Sequence, residues 1–239
     1  MKIAVFSDIH GNWQAFKAVV AAIDTERPNL VVVGGDIVGG GGRLADIIDA
    51  IYDRGWPCIA GNSDEMLWQP ERIDALAAGR PQMSRMWDII RDDIRIARNA
   101  IGAGRLKWLR ELPDRWLTPQ LAVVHASPGD KWTSPPADAS DDAFTSAYAG
   151  LDRPIVVYGH LHIPFVRRIG ALTVANSGAV GLPNDGDPRA AYLVIDGTDV
   201  AIRRVAYDVE LEIADRARSG YPHVSWIGQI LRTGTFVPP

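Results

Sequence analysis

A layered α/β fold, with helices packed on mixed sheets, follows from three features of this sequence. Short uninterrupted apolar runs recur through residue 162 and alternate with helical patterns. Each run ends abruptly in glycine, carboxylate, amide or imidazole. Beyond residue 162 the pattern changes to short strands joined by tight turns, the signature of antiparallel pairing.

The first run, Lys2-Ile3-Ala4-Val5-Phe6, reads as a strand buried on both faces and leads into Ser7-Asp8-Ile9-His10-Gly11-Asn12. Asp8 and His10 are two apart, so continued extended geometry would point both side chains the same way. Asn12 caps a helix through about Arg27, with Trp13, Phe16, Val19, Val20 and Ile23 on one face. Leu30-Val31-Val32-Val33 is a second strand and runs into Gly34-Gly35-Asp36. Gly39 to Gly42 form a flexible loop, either a plain connector or one that approaches a substrate. A helix from about Arg43 to Arg54 precedes a third strand, Pro57-Cys58-Ile59-Ala60, which ends in Gly61-Asn62-Ser63-Asp64. Three strand ends thus carry Asp8 and His10, Asp36, and Asn62 and Asp64. In a sheet of this class such ends converge on one edge.

A helical insertion then spans about residues 64–112, with Trp68, Trp87 and Trp108 either packing it or anchoring it over a cleft. Leu121-Ala122-Val123-Val124 ends in His125, and Pro154-Ile155-Val156-Val157-Tyr158 ends in Gly159-His160-Leu161-His162. Four antiparallel strands follow: Phe165 to Arg168, Leu172 to Ala175, Ala190 to Ile195 and Val200 to Val205. The tail, about 208–239, is largely helical.

The chain of 239 residues is 47% hydrophobic and 23% charged, which suits a single domain, 1–239, with a substantial core. A net charge of −4 supplies no electrostatic footprint for long nucleic acid or an anionic membrane. Cys58, the only cysteine, is expected in the core and allows no intramolecular disulfide. No run approaches 18 apolar residues and the N-terminus has no secretory signal pattern, so a cytoplasmic location is expected.

Four of the five histidines, His10, His125, His160 and His162, lie just past buried strands; His223 lies in the polar tail and is expected at the surface. With Asp8, Asp36 and Asn62 they make seven candidate ligands, too many for one tetrahedral zinc. They suit two adjacent divalent metals sharing a carboxylate. With no thiolate, the set fits manganese, iron or zinc.

The ordered blocks Asp8-Ile9-His10, Gly35-Asp36, Gly61-Asn62-Ser63-Asp64, His125 and Gly159-His160-Leu161-His162 resemble those of the calcineurin-like metallophosphoesterases. Within that family the chain resembles the small bacterial and archaeal YfcE-like and diadenosine-tetraphosphatase-like members. Asn176-Ser177-Gly178-Ala179-Val180-Gly181 and Tyr207-Asp208-Val209-Glu210 resemble them more loosely. The resemblance implies a four-layer α/β/β/α sandwich. It also implies one metal, manganese or iron foremost, on Asp8, His10 and His162, another on Asn62, His125 and His160, and Asp36 between them. A bridging hydroxide would attack phosphorus in line. Asp64 would orient a histidine ligand.

One block departs from the family. Many members carry histidine after the asparagine, where it stabilises phosphate or protonates the leaving group; here that residue is Ser63. A serine hydroxyl donates a hydrogen bond but is a poor acid at neutral pH. The expected substrates therefore have good leaving groups: aryl phosphodiesters, nucleotide phosphoanhydrides or strained cyclic nucleotides. Asn12, Lys131 and Arg189 are candidate contacts to a distal phosphate. The alternatives are a broad phosphomonoesterase or protein phosphatase and, in another class, a non-catalytic metal-binding scaffold. Such scaffolds lose ligands, whereas here every ligand position is filled. A small phosphorylated partner, a nucleotide foremost, is expected, and self-association is left open.

Overall fold

The computed structural model describes residues 1–239. In chain order the elements of the first half are β1 (Lys2–Phe6), α1 (Trp13–Glu26), β2 (Leu30–Val33), α2 (Leu44–Asp53), α3 (Asn62–Glu65), α4 (Glu71–Ala78) and α5 (Ser84–Arg110). The second half holds β3 (Arg115–Leu117), β4 (Leu121–Val124), α6 (Asp141–Tyr148), β5 (Ile155–Tyr158), β6 (Phe165–Ile169), β7 (Leu172–Asn176), β8 (Ala190–Asp196), β9 (Asp199–Val205), α7 (Val209–Arg218) and α8 (Val224–Thr233).

Two mixed sheets form, one in the order β2-β1-β8-β9 and the other β3-β4-β5-β7-β6. Strand β1 runs parallel to β2 and antiparallel to β8, while β4, β5 and β7 run parallel to one another. Because side chains alternate along a strand, each sheet feeds two apolar seams. Ile3 and Val5 of β1 join Val32, Val123, Val157 and Leu193 between the sheets. Ala4 and Phe6 face the other way, into the seam under α1, α2 and α5. On the far side of the second sheet, Ala122, Val124, Val156 and Tyr158 pack on Phe144 and Tyr148 of α6. Three seams separate four layers, α/β/β/α.

Asn12 caps α1 as expected, its Oδ1 accepting from Ala15 N–H at 3.0 Å, and Arg27 closes the helix in the left-handed region. The expected third strand, 57–60, shrinks to one parallel bridge between Val33 and Cys58. Pro57 has no N–H for the ladder, and the Ala60 N–H turns away to Pro113 O at 3.0 Å. Cys58 is buried, as expected.

In the insertion, Trp87 is buried beside Ile94, Ala97, Ile101 and Leu109 in the seam that also holds β1 and β2, so the helices pack on the central core. Helix α5 bends where Gly102 adopts φ 73°. No helix is long and apolar enough to cross a membrane.

Candidate metal centre

The chain leaves β1, β2, the Cys58 bridge, β4 and β5 at one end of the two sheets, and the seven candidate ligands lie on those exits. Of seven non-glycine residues with positive φ, five are candidate ligands: Asp8 (56°), His10 (45°), Asp36 (53°), His160 (66°) and His162 (60°). The chain between Asp8 and His10 is therefore coiled rather than extended, correcting the sequence expectation. Each such residue costs roughly 1 kcal/mol or more and persists only where its surroundings impose it. Here the exits of β1 and β2 lock together: N–H groups of Asp8, Ile9, His10 and Gly11 donate to the carbonyls of Gly35, Asp36, Asp36 and Ile37 at 2.8–3.1 Å.

The ligand atoms of Asp8, His10, Asp36 and His162 all lie within 4.8 Å of one another. His10 Nε2 is 3.1 Å from His162 Nε2 and 3.5 Å from Asp36 Oδ2, and His162 Nε2 is 3.3 Å from Asp8 Oδ1. A second group adjoins it. His125 Nε2 lies 3.4 Å from Asp36 Oδ1 and 2.9 Å from Asn62 Oδ1, which is also 2.9 Å from His160 Nδ1. His125 Nδ1 faces the Gly34 carbonyl at 2.9 Å, which assigns it the proton and leaves Nε2 as a lone pair. Turning the Asn62 amide would let its nitrogen donate to both rings. With its oxygen on the rings instead, three lone-pair donors converge on one point, an arrangement that calls for a cation. The donors are oxygen and imidazole nitrogen, a chemistry suited to hard or borderline divalent metals.

Burial and mutual charge set the protonation of these groups. Burial would raise the Asp8 carboxyl, but His162 above all, with His125 and His10, holds it well below the usual carboxylate range. Burial pushes His10 down to about 4 against the pull of Asp36, and burial together with His125 lowers His160. At His125 and His162 burial is outweighed by the carboxylates, Asp36 and Asp8 respectively, and both are raised. A cation taking these ligands must displace the protons they hold, so binding weakens as pH falls.

Several side chains brace the centre. Ser7 Oγ donates to Asp8 Oδ2 and pairs with Ser177 Oγ at 2.7 Å. Asn176 Nδ2 donates to Gly159 O at 2.6 Å while its Oδ1 accepts from Gly178 N–H at 2.9 Å, fixing the loop that presents His160. Arg216 of α7 reaches in from the C-terminal extension, its guanidinium donating to Glu212 Oε1 at 2.8 Å, to His10 O at 3.1 Å and to Gly40 O. None of these bracing roles is apparent from the sequence, except that Asn176 and Ser177 stand inside a motif block and Ser7 adjoins one.

Asp64 does not orient a histidine. Its oxygens accept from the N–H groups of Ile37, Val38 and Gly61 at 2.9–3.1 Å and so shape the Asp36 loop, while burial and then Asp36 raise its carboxyl to about 6. Ser63 donates to Asp36 twice, from its N–H at 2.8 Å and its hydroxyl at 2.9 Å. The three candidate phosphate contacts are all engaged elsewhere. Asn12 is fully buried and bonds Gly181 O and Tyr207 Oη, Lys131 pairs with Glu65 and Asp114, and Arg189 pairs with Asp187 at the surface. Likewise His223 is tied to Asp92 at 2.9 Å and only part exposed. The Gly39–Gly42 loop is closely packed rather than flexible: a Cβ on Gly41 would fall 2.1 Å from Gly11 O, and one on Gly40 2.2 Å from the Tyr221 ring.

From His10, Asn62, Ser63 and His162 a cavity of about 250 Å³ opens between α5 and α8. Comparison with known proteins agrees with this architecture. The chain is 28% identical over 255 residues to an uncharacterized protein of Methanocaldococcus jannaschii, covering 97% of this chain and 98% of the relative. A metallophosphoesterase structure from Sphaerobacter thermophilus superposes with a TM-score of 0.79 at 25% identity, covering 98% of this chain and all of the other. A hypothetical protein from Pyrococcus horikoshii OT3 shares the fold at a TM-score of 0.83 and 18% identity, over 99% of both chains. Residues 1–199 match the calcineurin-like phosphoesterase superfamily domain, and with the strand-end motifs gathered into one acidic and imidazole-lined centre, the chain belongs to that superfamily of metal-dependent hydrolases.

Proposed function

We propose that this chain is a two-metal phosphodiesterase that hydrolyses phosphodiesters or nucleotide phosphoanhydrides. The observation that carries the reading is Asp36, whose Oδ2 faces His10 while its Oδ1 faces His125, so one carboxylate touches both ligand groups. Asp8, His10, His162 and Asp36 would hold one divalent ion, and Asn62, His125, His160 and Asp36 the other, manganese or iron foremost. When bound, the ions supply an activated water and neutralise charge developing on the phosphoryl oxygens.

The chain's own residues set the substrate. Ser63 lines the cavity, but its hydroxyl is committed to Asp36, and no imidazole beyond the ligand set stands at the cavity mouth to protonate a leaving alkoxide. Leaving groups stable as anions, such as aryl oxides and nucleotide phosphates, are favoured over alkyl alcohols. The strained left-handed backbone at five ligands holds the centre in place before substrate arrives.

The test is turnover of bis(p-nitrophenyl) phosphate, p-nitrophenyl phosphate, 2′,3′-cyclic AMP, diadenosine tetraphosphate and a sugar phosphate by Mn²⁺-loaded protein, with Asp36→Ala as control. Diester or anhydride turnover lost in the variant supports the reading, and faster hydrolysis of the sugar phosphate overturns it. Two bound metals without any turnover would favour a regulatory role instead.

A further inference from the structure

The cavity beside the metal centre has a composition that the hydrolytic reading leaves unexplained. Its walls are apolar: Met66, Met86 and Ile90 on one side, Trp226, Ile230 and Phe236 on the other. Into this lining the fold places a carboxylate, Asp93 of α5. Asp93 Oδ1 is fully buried and accepts no hydrogen bond of good geometry, one of only three such side-chain atoms in the chain, although the Tyr221 hydroxyl and the Arg216 guanidinium nearby pull against the effect of burial on its carboxyl. The nearby guanidinium of Arg216 spends its donors on Glu212, Gly40 O and His10 O, and stacks at 5.8 Å over the Tyr221 ring.

An orphaned buried acceptor costs about 1–3 kcal/mol, more when charged. An acceptor kept at that cost, in a cavity continuous with the reacting centre, is matched by a ligand that brings an N–H donor.

We propose that this cavity seats the base of a nucleotide substrate, and that Asp93 Oδ1 selects bases carrying an exocyclic amino group. The inference rests on the phosphodiesterase reading and names its substrate class. A planar aromatic base suits the methionine, isoleucine and tryptophan walls, and an amino group supplies the missing donor. A lipid chain or plain aryl group would fill the walls but leave Asp93 orphaned. An ammonium head group such as choline would meet the Arg216 charge that also lines the cavity, and choline offers no N–H. Burial pushes the Asp93 carboxyl up to about 6, so at neutral pH it is largely ionised and acts as an acceptor.

The experiment uses the full chain loaded with Mn²⁺ and p-nitrophenyl esters of adenosine, guanosine and purine riboside 5′-phosphates, with p-nitrophenyl phosphocholine as a further arm. Purine riboside keeps the two-ring base but offers no N–H donor. The expected result is a kcat/KM for the adenosine or guanosine ester on the order of tenfold above that for purine riboside, the worth of one hydrogen bond to a charged group. In Asp93→Leu that ratio falls toward one. Independently of turnover and of any variant, saturation-transfer NMR on the metal-free wild-type protein should show adenosine binding in preference to purine riboside. Equal values for amino and non-amino esters, or preference for the choline ester, would overturn the proposal. If bis(p-nitrophenyl) phosphate is itself not hydrolysed, the phosphodiesterase reading has failed, and the nucleoside-binding ratio alone decides the pocket.

Discussion

Removing the guanidinium of Arg216 should loosen the protein and its metal centre together. Arg216 and Glu212 are each about 1% exposed and joined at 2.8 Å, and Glu212 Oε2 also accepts from the Gln14 N–H at 3.1 Å. Burial raises the Glu212 carboxyl even with the guanidinium beside it, the sign of an ion pair whose attraction falls short of its desolvation. Arg216→Met strands the carboxylate and takes the donors from His10 O and Gly40 O. Breaking a buried pair from one side costs about 3–5 kcal/mol, or roughly 6–20 °C in Tm for a chain of this size. Glu212→Leu should also be costly alone, whereas the double variant should cost less than the sum by about 2 kcal/mol or more. Equilibrium unfolding in denaturant measures all four corners of the cycle. Arg216→Lys, which keeps a charge but loses the fork, should weaken Mn²⁺ binding by releasing the His10 loop, read by titration calorimetry. Additive single effects, or a loss under about 1 kcal/mol for Arg216→Met, would refute the reasoning.

Three further outcomes follow from the same geometry. Asp93 has a carboxyl raised from 3.8 to about 6 by burial, so the fold favours its protonated form; its contribution is intact below about 3.8 and lost as pH rises through 6. Asp93→Leu should therefore raise Tm at pH 8, by at most about 3 kcal/mol of stability, with the gap closing as pH falls toward 4; a gap independent of pH would contradict this. Ser63→Ala removes a buried donor to Asp36 and should cost the metal-free protein about 1.5–3 kcal/mol, shrinking once Mn²⁺ is bound, as thermal melts with and without metal would show. Free Mn²⁺ at a hundredfold over Kd should stabilise the wild type by about 2.7 kcal/mol, and an equal shift in Asp36→Asn would remove Asp36 from the ligand set.

The places where sequence reasoning fell short share a cause. Pro57 to Ala60 carries a strand's composition but pairs through one bridge, because its outer N–H found a partner in Pro113. The glycines at 39–42 read as a flexible loop, a connector or one that approaches a substrate, yet they are small because the His10 and Gly11 backbone, the Tyr221 ring and Ser219 press on them. Asp64 read as a partner for histidine, yet its oxygens sit under three backbone N–H groups. Asp93 and Arg216 gave no signal, each being one charge among many on an amphipathic helix.

Sequence alone determined the layered class, since apolar period and turn chemistry are local properties that each segment carries with it. It also marked Asp8, His10, Asp36, Asn62, His125, His160 and His162, because parallel strands deliver whatever follows them to a common edge. What only the tertiary structure decided was how those residues are held and what lies beside them. The left-handed turns at Asp8, His10 and Asp36 exist because the N–H groups of the loop after β1 donate to the carbonyls of the loop after β2. The cavity exists because α5 and α8, more than a hundred residues apart, close around the same edge. Such pairings depend on distances between segments, which no local pattern of residues encodes.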